Sequence, residues 1–310
     1  MDILFAIILV LTGGGLLYYG GDFLVRGSSS LALRKGVSMM VVGLTVVSMG
    51  TSAPELIVSL IAGVQGNADI SVGNVVGSNI ANVGLVLGIS ALIRPLSLRR
   101  STLRSDLPFV LATSLLLWFA LLDGSVNRVD AIIMLAFFSV FMFYCFKNMR
   151  VGAEADEIGV LPKTWQEYAM IVGGIVVLFA GGKYFVVGAE KLARMIGMSD
   201  FAIGLTVVAV GTSLPELATS VIAAVRKNAD ISVGNVLGSN VFNLVFILGL
   251  VGLLVDLPCE RSAVYVDVPV MLGVSLILLP LAYRYKLGRF GGAVLLAVYL
   301  GYIGYIFVRG

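Results

Sequence analysis

Two carboxylates stand where the surrounding sequence should exclude them. Glu55 lies deep in an apolar block spanning residues 38–65, and Glu216 lies deep in a second block, 199–226. A charge near the centre of a bilayer costs at least about 2.5–3.5 kcal/mol on insertion scales. Neither block carries a Lys or Arg near its glutamate that would neutralise it. A function that offsets this cost is cation binding. Each glutamate directly follows a proline, in GTSAPE (50–55) and GTSLPE (211–216). Proline removes a helical donor and its ring clashes with the carbonyl four residues back. That residue is glycine in both motifs, Gly50 before Pro54 and Gly211 before Pro215. The helix is expected to break there and release carbonyl oxygens, which are tolerated at membrane depth where they line a polar cavity.

A polar stripe accompanies each glutamate. Asn74, Ser78 and Asn82 recur at i, i+4 and i+8, on one helical face, and Asn235, Ser239 and Asn243 repeat the pattern. Gly73, Gly77, Gly234 and Gly238 run beside the stripes and suit close helix packing. Ser78, Asn82, Ser239 and Asn243 are expected at or beside the ligand. The candidate donors are carboxylates, amides, hydroxyls and carbonyls, all oxygen. That set suits hard cations such as Ca²⁺ and Na⁺, and argues against zinc or copper. Two carboxylates balance one Ca²⁺, and the same oxygens could instead hold several Na⁺. Asp69, Asp106, Asp230 and Asp267 precede apolar blocks and are expected to act as helix caps.

The elements that must position these residues are membrane spans. The chain has 310 residues, 59% hydrophobic and only 13% charged. Soluble domains carry roughly 25% charged residues. Apolar blocks long enough to cross a bilayer fall at 3–25, 38–65, 70–93, 106–122, 129–147, 168–190, 199–226, 231–254, 264–283 and 290–308. The first lacks a basic leader and reads as a true span rather than a cleaved signal. The cysteines, Cys145 and Cys259, read as unpaired. There is no histidine, no CxxC pattern and no implied cofactor.

Residues 37–93 align without a gap onto 198–254 at an offset of 161, with roughly 30 of about 57 positions identical. NADISVGNVVGSNIAN matches NADISVGNVLGSNVFN. The same offset carries Gly20-Gly21 onto Gly181-Gly182 and Asp106 onto Asp267. The chain therefore reads as an all-α polytopic membrane protein, with ten transmembrane helices as two inverted five-helix repeats. Repeat one is 1–147, a charged linker including Glu167 is 148–167, and repeat two is 168–310. Five spans per unit is odd, so the second copy enters from the opposite side, the architecture of alternating-access transporters. With both termini outside, 15 of the 21 basic residues fall in cytoplasmic connectors. The implied surroundings are a lipid bilayer, at the cell membrane. No nucleic acid and no protein partner is implied.

At these motifs the sequence resembles the sodium/calcium exchanger family, within the cation/calcium exchanger superfamily and of prokaryotic type. The carriers are GTSAPE, GTSLPE, GNVVGSNIAN (73–82) and GNVLGSNVFN (234–243), which look like that family's two alpha-repeats. The resemblance implies an antiporter, not an enzyme. Calcium would be held by Glu55 and Glu216 with carbonyls at Thr51 and Thr212. Sodium would add carbonyls at Ser48 and Ala209 and side chains at Ser52, Ser78, Ser213 and Ser239. Family transport is usually three Na⁺ for one Ca²⁺. Some members, potassium-dependent relatives among them, carry an acid where this chain has Asn243; potassium co-transport is correspondingly less expected here. The linker is too short for the calcium-sensing domains of animal exchangers. A Ca²⁺/H⁺ antiporter is the nearest alternative, although its relatives typically lack GTSxPE. A passive channel would arrange its selectivity elements about the membrane normal, which an inverted repeat does not supply.

Overall fold

A computed structural model describes residues 2–147, 160–196, 209–282 and 284–309. The structure is helical apart from two short ribbons. The helices are α1 (Asp2–Lys35), α2 (Met39–Thr51), α3 (Ala53–Val64), α4 (Ala68–Ile93), α5 (Thr102–Asp123), α6 (Arg128–Lys147), α7 (Thr164–Met195), α8 (Ala209–Thr212), α9 (Leu214–Val225), α10 (Ala229–Leu254), α11 (Ala263–Leu281) and α12 (Arg289–Arg309). Among the described residues eight helices are long and apolar enough to cross a membrane, and the bent pair α2–α3 makes a ninth. The expected seventh span and the linker fall partly outside the described residues.

The layering follows burial. The apolar windows of α4 and α10 are 72% and 83% buried, against 22% for α1, α6 and α12. The two helices bearing the asparagine stripes are thus the centre, and the more uniformly apolar helices surround them. Exposed Ile, Leu, Phe and Val on the outer helices are unfavourable in water and suited to acyl chains. α1 and α7 pack along each other at glycines: a Cβ on Gly20 would stand 2.7 Å from the Leu178 amide, and one on Gly174 2.7 Å from that of Leu24.

Ribbon β1 (Leu96–Ser97) pairs with β4 (Lys286–Leu287), and β2 (Ser125–Val126) pairs with β3 (Leu257–Pro258). At the 161-residue offset β1 corresponds to β3 and β2 to β4, so each ribbon joins one strand from each half. Single π-helical turns recur in both halves, at Asn82–Leu87 and Phe242–Ile247, and at Thr102–Asp106 and Ala263–Asp267. A further one occupies Gly43–Val47 in α2.

Several sequence expectations need correction. The first span runs to Lys35, ten residues past the expected end. Glu167 is not a solvated linker residue. It is fully buried at the start of α7, accepting from Ser30 Oγ at 2.5 Å and from Arg34 Nε at 2.7 Å. A buried charge is retained when paired in this way. Asp69 and Asp230 stand in the first turns of α4 and α10, where a negative charge suits the helix N-terminus, but Asp106 and Asp267 depart from the expected capping. Asp106 and Asp267 accept from the Tyr144 and Tyr302 hydroxyls, each at 3.0 Å, and make no cap bond. Asp69 accepts from the Glu260 amide and Asp230 pairs with Arg99. Asn228 caps α10 instead, accepting from the Ile231 amide. The cysteines are unpaired, as expected. Burial, then the nearby Asp69, Asp267 and Glu260, push the Cys259 thiol up to about 11, leaving it neutral at physiological pH.

Candidate cation site

The path of α2–α3 turns by 48° at Ser52. Pro54 stands in the first turn of α3, so it opens a new helix rather than kinking an old one. With no N–H, it leaves the Gly50 carbonyl without its helical donor. Pro215 opens α9 in the same way after Ser213. The glycines before the prolines could serve to bend the backbone or to make room for a neighbour. Neither Gly50 nor Gly211 has a positive φ. A Cβ on Gly50 would lie 2.6 Å from Ile175 Cδ1, and one on Gly211 would lie 2.4 Å from Val186 Cγ2. They are small so that α7 can approach both helix breaks.

The two breaks bring the glutamates together. Glu55 and Glu216 are both fully buried. Ser52, three residues before Glu55, donates to Glu216 Oε1 at 2.9 Å and so links the first break to the second glutamate. Ser78 Oγ donates to Glu55 Oε1 at 3.3 Å. The second oxygen of each carboxylate has no protein partner. Among the described residues the same holds for Ser239 Oγ, Asn82 Oδ1 and Asn243 Oδ1, and also for atoms elsewhere such as Asp106 Oδ2 and Glu167 Oε2. Buried polar atoms are nearly always hydrogen-bonded. The unpartnered oxygens on Glu55, Glu216, Ser239, Asn82 and Asn243 belong to the two motifs and are of the type that suits a hard cation. Among the described residues no three His, Cys, Asp or Glu side chains converge. Two carboxylates with weaker neutral oxygens suit a cation that must leave again.

Asparagines fix the orientation of this set. Asn82 Nδ2 donates to Asn240 Oδ1 and Asn243 Nδ2 donates to Asn79 Oδ1, each at 3.1 Å. Asn79 and Asn240 donate to each other's backbone carbonyl, at 3.1 and 3.3 Å. The amide nitrogens of Asn82 and Asn243 are thereby engaged between α4 and α10, and their oxygens are what remains. Asn74 and Asn235 hold the glutamate helices by donating to the Glu55 and Glu216 carbonyls at 3.3 and 3.4 Å and to Ser59 and Ser220 at 2.9 Å.

The sequence profile of the family described as sodium/calcium exchanger protein matches residues 5–147 and 167–308, one match on each half of the duplication. The chain belongs to the sodium/calcium exchanger family. It is 32% identical to the sodium/calcium exchanger MaX1 of Methanosarcina acetivorans, over 97% of this chain and 98% of that one. It is 37% identical to the putative antiporter CaxA of Alkalimonas amylolytica, over 96% and 98%. A solved structure of the sodium-calcium exchanger NCX_Mj, soaked with Na⁺ and Sr²⁺, superposes with a TM-score of 0.86 at 35% identity, over 98% of this chain and 99% of that one. The fold is that of a transmembrane exchanger.

Not every expected ligand of this exchanger is equivalent in the structure. The Ser48 carbonyl already accepts from the Ser52 amide at 3.0 Å and from Thr51 Oγ1 at 3.3 Å. Thr51 Oγ1 also donates to Asn235 Oδ1 at 3.0 Å. Thr212 lines a cavity of about 380 Å³ between α7 and α3, which reaches Pro54, Gly211 and Pro215. Ala209 begins the short turn α8 before Thr212. Gly234 and Gly238 pack tightly on α2, as a packing role requires, while a Cβ on Gly73 or Gly77 meets nothing within 4 Å among the described residues. Asn79 and Asn240 were missed because they lie off the i, i+4, i+8 stripe. Their identity in both copies of GSN was the available signal.

Proposed function

We propose that this chain exchanges Na⁺ for Ca²⁺ across the cell membrane by alternating access. The carrying observation is the pair of fully buried carboxylates, Glu55 and Glu216, each bonded to a motif serine through one oxygen with the other unpartnered among the described residues. Calcium is assigned to Glu55, Glu216 and the carbonyls of Thr51 and Thr212. Sodium occupies the same carboxylates together with Ser48, Ser52, Ser78, Asn82, Ala209, Ser213, Ser239 and Asn243. Ions that share carboxylates exclude one another, which is the physical basis of exchange. The pairing of equivalent residues across the two halves supports an inverted repeat of ten spans, and the bias of basic residues toward one set of connectors supports termini outside. The names of MaX1 and NCX_Mj support the choice of ions. Three Na⁺ per Ca²⁺ would move one net charge, a step worth about 2.3 kcal/mol per 100 mV.

The deciding measurement is radioactive calcium uptake into proteoliposomes of the full chain. Uptake driven by an outward sodium gradient, and absent with a pH gradient alone, is expected. Uptake indifferent to sodium but driven by protons would replace this reading with Ca²⁺/H⁺ exchange. Flux without any counter-ion would indicate a channel.

A further inference from the structure

The second half of the chain holds two residues in a backbone conformation that the first half gives to glycine. Lys227 has φ +65° and Tyr285 has φ +56°. Their counterparts at the 161-residue offset are Gly66, at +81°, and Gly124, at +96°. Among the described residues, Lys227 and Tyr285 are the two non-glycine residues with positive φ. Left-handed backbone is strained for a residue with a Cβ, and such strain persists where something else requires it. The fold accepts glycine at both places, so the side chains themselves are the reason.

Lys227 lines a cavity of about 960 Å³, and Tyr285 directly precedes Lys286 on its wall. Its walls include Arg94, Arg99, Lys227, Lys286 and Arg289, with a single carboxylate, Asp230. Arg99 pairs with Asp230 at 2.5 Å, Asp230 and Lys227 each make a further contact, and Arg289 Nε donates to the Leu92 carbonyl at 3.1 Å, which leaves the excess of positive charge in place. Ribbon β1–β4 forms one wall, and the Tyr285 carbonyl secures it by accepting from the Leu98 amide at 2.8 Å. The counterparts of the five cations in the other half are Val255, Glu260, Gly66, Ser125 and Arg128. One cation survives and one has become an acid. The duplicated fold therefore does not demand this charge. Orientation in the membrane asks only for cations somewhere on one side. Gathering five around one concavity makes them repel one another.

We propose that this cavity is a binding site for a phosphate-bearing anion. Arginine forks match phosphate oxygens in pairs, and lysines add mobile point charges. The headgroup of an anionic phospholipid and a soluble phosphate compound share this chemistry. The exposed Ile93 and Val225 at the rim would meet acyl chains in the first case. Because the wall ribbon takes one strand from each half, an anion here would clamp the halves together at this end. The proposal stands apart from the cation chemistry, and its readout is binding rather than transport.

The test uses the purified full chain in neutral detergent and in nanodiscs. Thermal stability and binding are measured with inorganic pyrophosphate, with phosphatidylcholine alone, and with cardiolipin added to phosphatidylcholine. Wild type should be stabilised by pyrophosphate if the source is soluble, or by cardiolipin only if it is a headgroup. Arg94→Gln and Lys286→Gln should each weaken that binding about fivefold. Arg128→Gln, at the counterpart of Arg289 and not on the cavity wall, should leave it unchanged. Lys227→Gly should raise the melting temperature without anion and shrink the rise that anion produces, an outcome misfolding does not give. Absence of stabilisation by either probe overturns the proposal. So does an Arg128→Gln effect equal to that of Arg94→Gln.

Discussion

At the scale of single residues the site is defined by what each side chain has left over after folding. Glu55 and Glu216 each bind a serine through one oxygen and keep the other unpartnered. Glutamine at either position retains the shape but removes the charge. Glu55→Gln and Glu216→Gln are therefore expected to lower calcium uptake at least about a hundredfold, the equivalent of about 3 kcal/mol or more for a lost ion contact. Both should remain monodisperse on size exclusion; full uptake by either would refute the assignment. Asn243 makes a finer test. Its Nδ2 donates to Asn79 Oδ1. In Asn243→Asp only a protonated carboxyl can replace that donor, and an ionised one faces the Asn79 oxygen across the same gap. The variant should lose thermal stability as pH rises through the titration of the new acid, by about 1–3 kcal/mol. Its calcium transport should acquire a pH dependence. A pH profile that overlays wild type would place Asn243 away from the ions.

At the scale of elements, two contacts separate packing from gating. α10 lies on α2 so closely that a Cβ on Gly238 would stand 2.5 Å from the Leu44 carbonyl and 2.6 Å from Ser48 Oγ. Gly238→Ala should cost about 1–3 kcal/mol by overpacking and displace Ser48 from its bond to Leu44. Denaturation in detergent would register the loss, and unchanged stability would mean the helices part freely. The second contact is asymmetric. Asp22 in α1 pairs with Arg226 after α9, whereas their counterparts are Lys183 and Gln65. Along that seam a Cβ on Gly21 would meet Ile222 Cδ1 at 2.7 Å, while one on Gly182 finds, among the described residues, nothing nearer than the Gly211 carbonyl at 3.9 Å. The first seam is the more tightly packed, and Gly182 lines a cavity. Arg226→Gln removes a partly exposed pair worth about 0.2–1 kcal/mol, up to about a fivefold shift in population. Maleimide labelling of Ile222→Cys, on a background lacking Cys145 and Cys259, should quicken by that factor. Equal rates would show that the pair does not hold the seam.

At the scale of the whole molecule, the proposed stoichiometry has an electrical consequence. With sodium inside and calcium outside, an exchange of three Na⁺ for one Ca²⁺ would carry one positive charge outward. An inside-positive potential should therefore accelerate calcium uptake, and an inside-negative one should slow it. The potential is clamped with potassium and valinomycin, and rates that ignore it would exclude an uneven stoichiometry.

Much of this architecture was legible in the chain alone. Duplication, membrane residence and the oxygen-only donor set follow from periodicity and from acids set among apolar residues, because a bilayer permits few reasons for either. The break before Glu55 was legible because proline lacks a donor wherever it stands. The purpose of Gly50 and Gly211 was not, since backbone freedom and room for a neighbour leave the same mark in sequence. Nor was the burial of Glu167, whose partners Ser30 and Arg34 lie more than 130 residues away. The sequence by itself determined which atoms a cation would seek. Only the tertiary structure decided which of them remain unpartnered, because Asn79 and Asn240 claim the amide nitrogens of Asn243 and Asn82 through contacts between the halves.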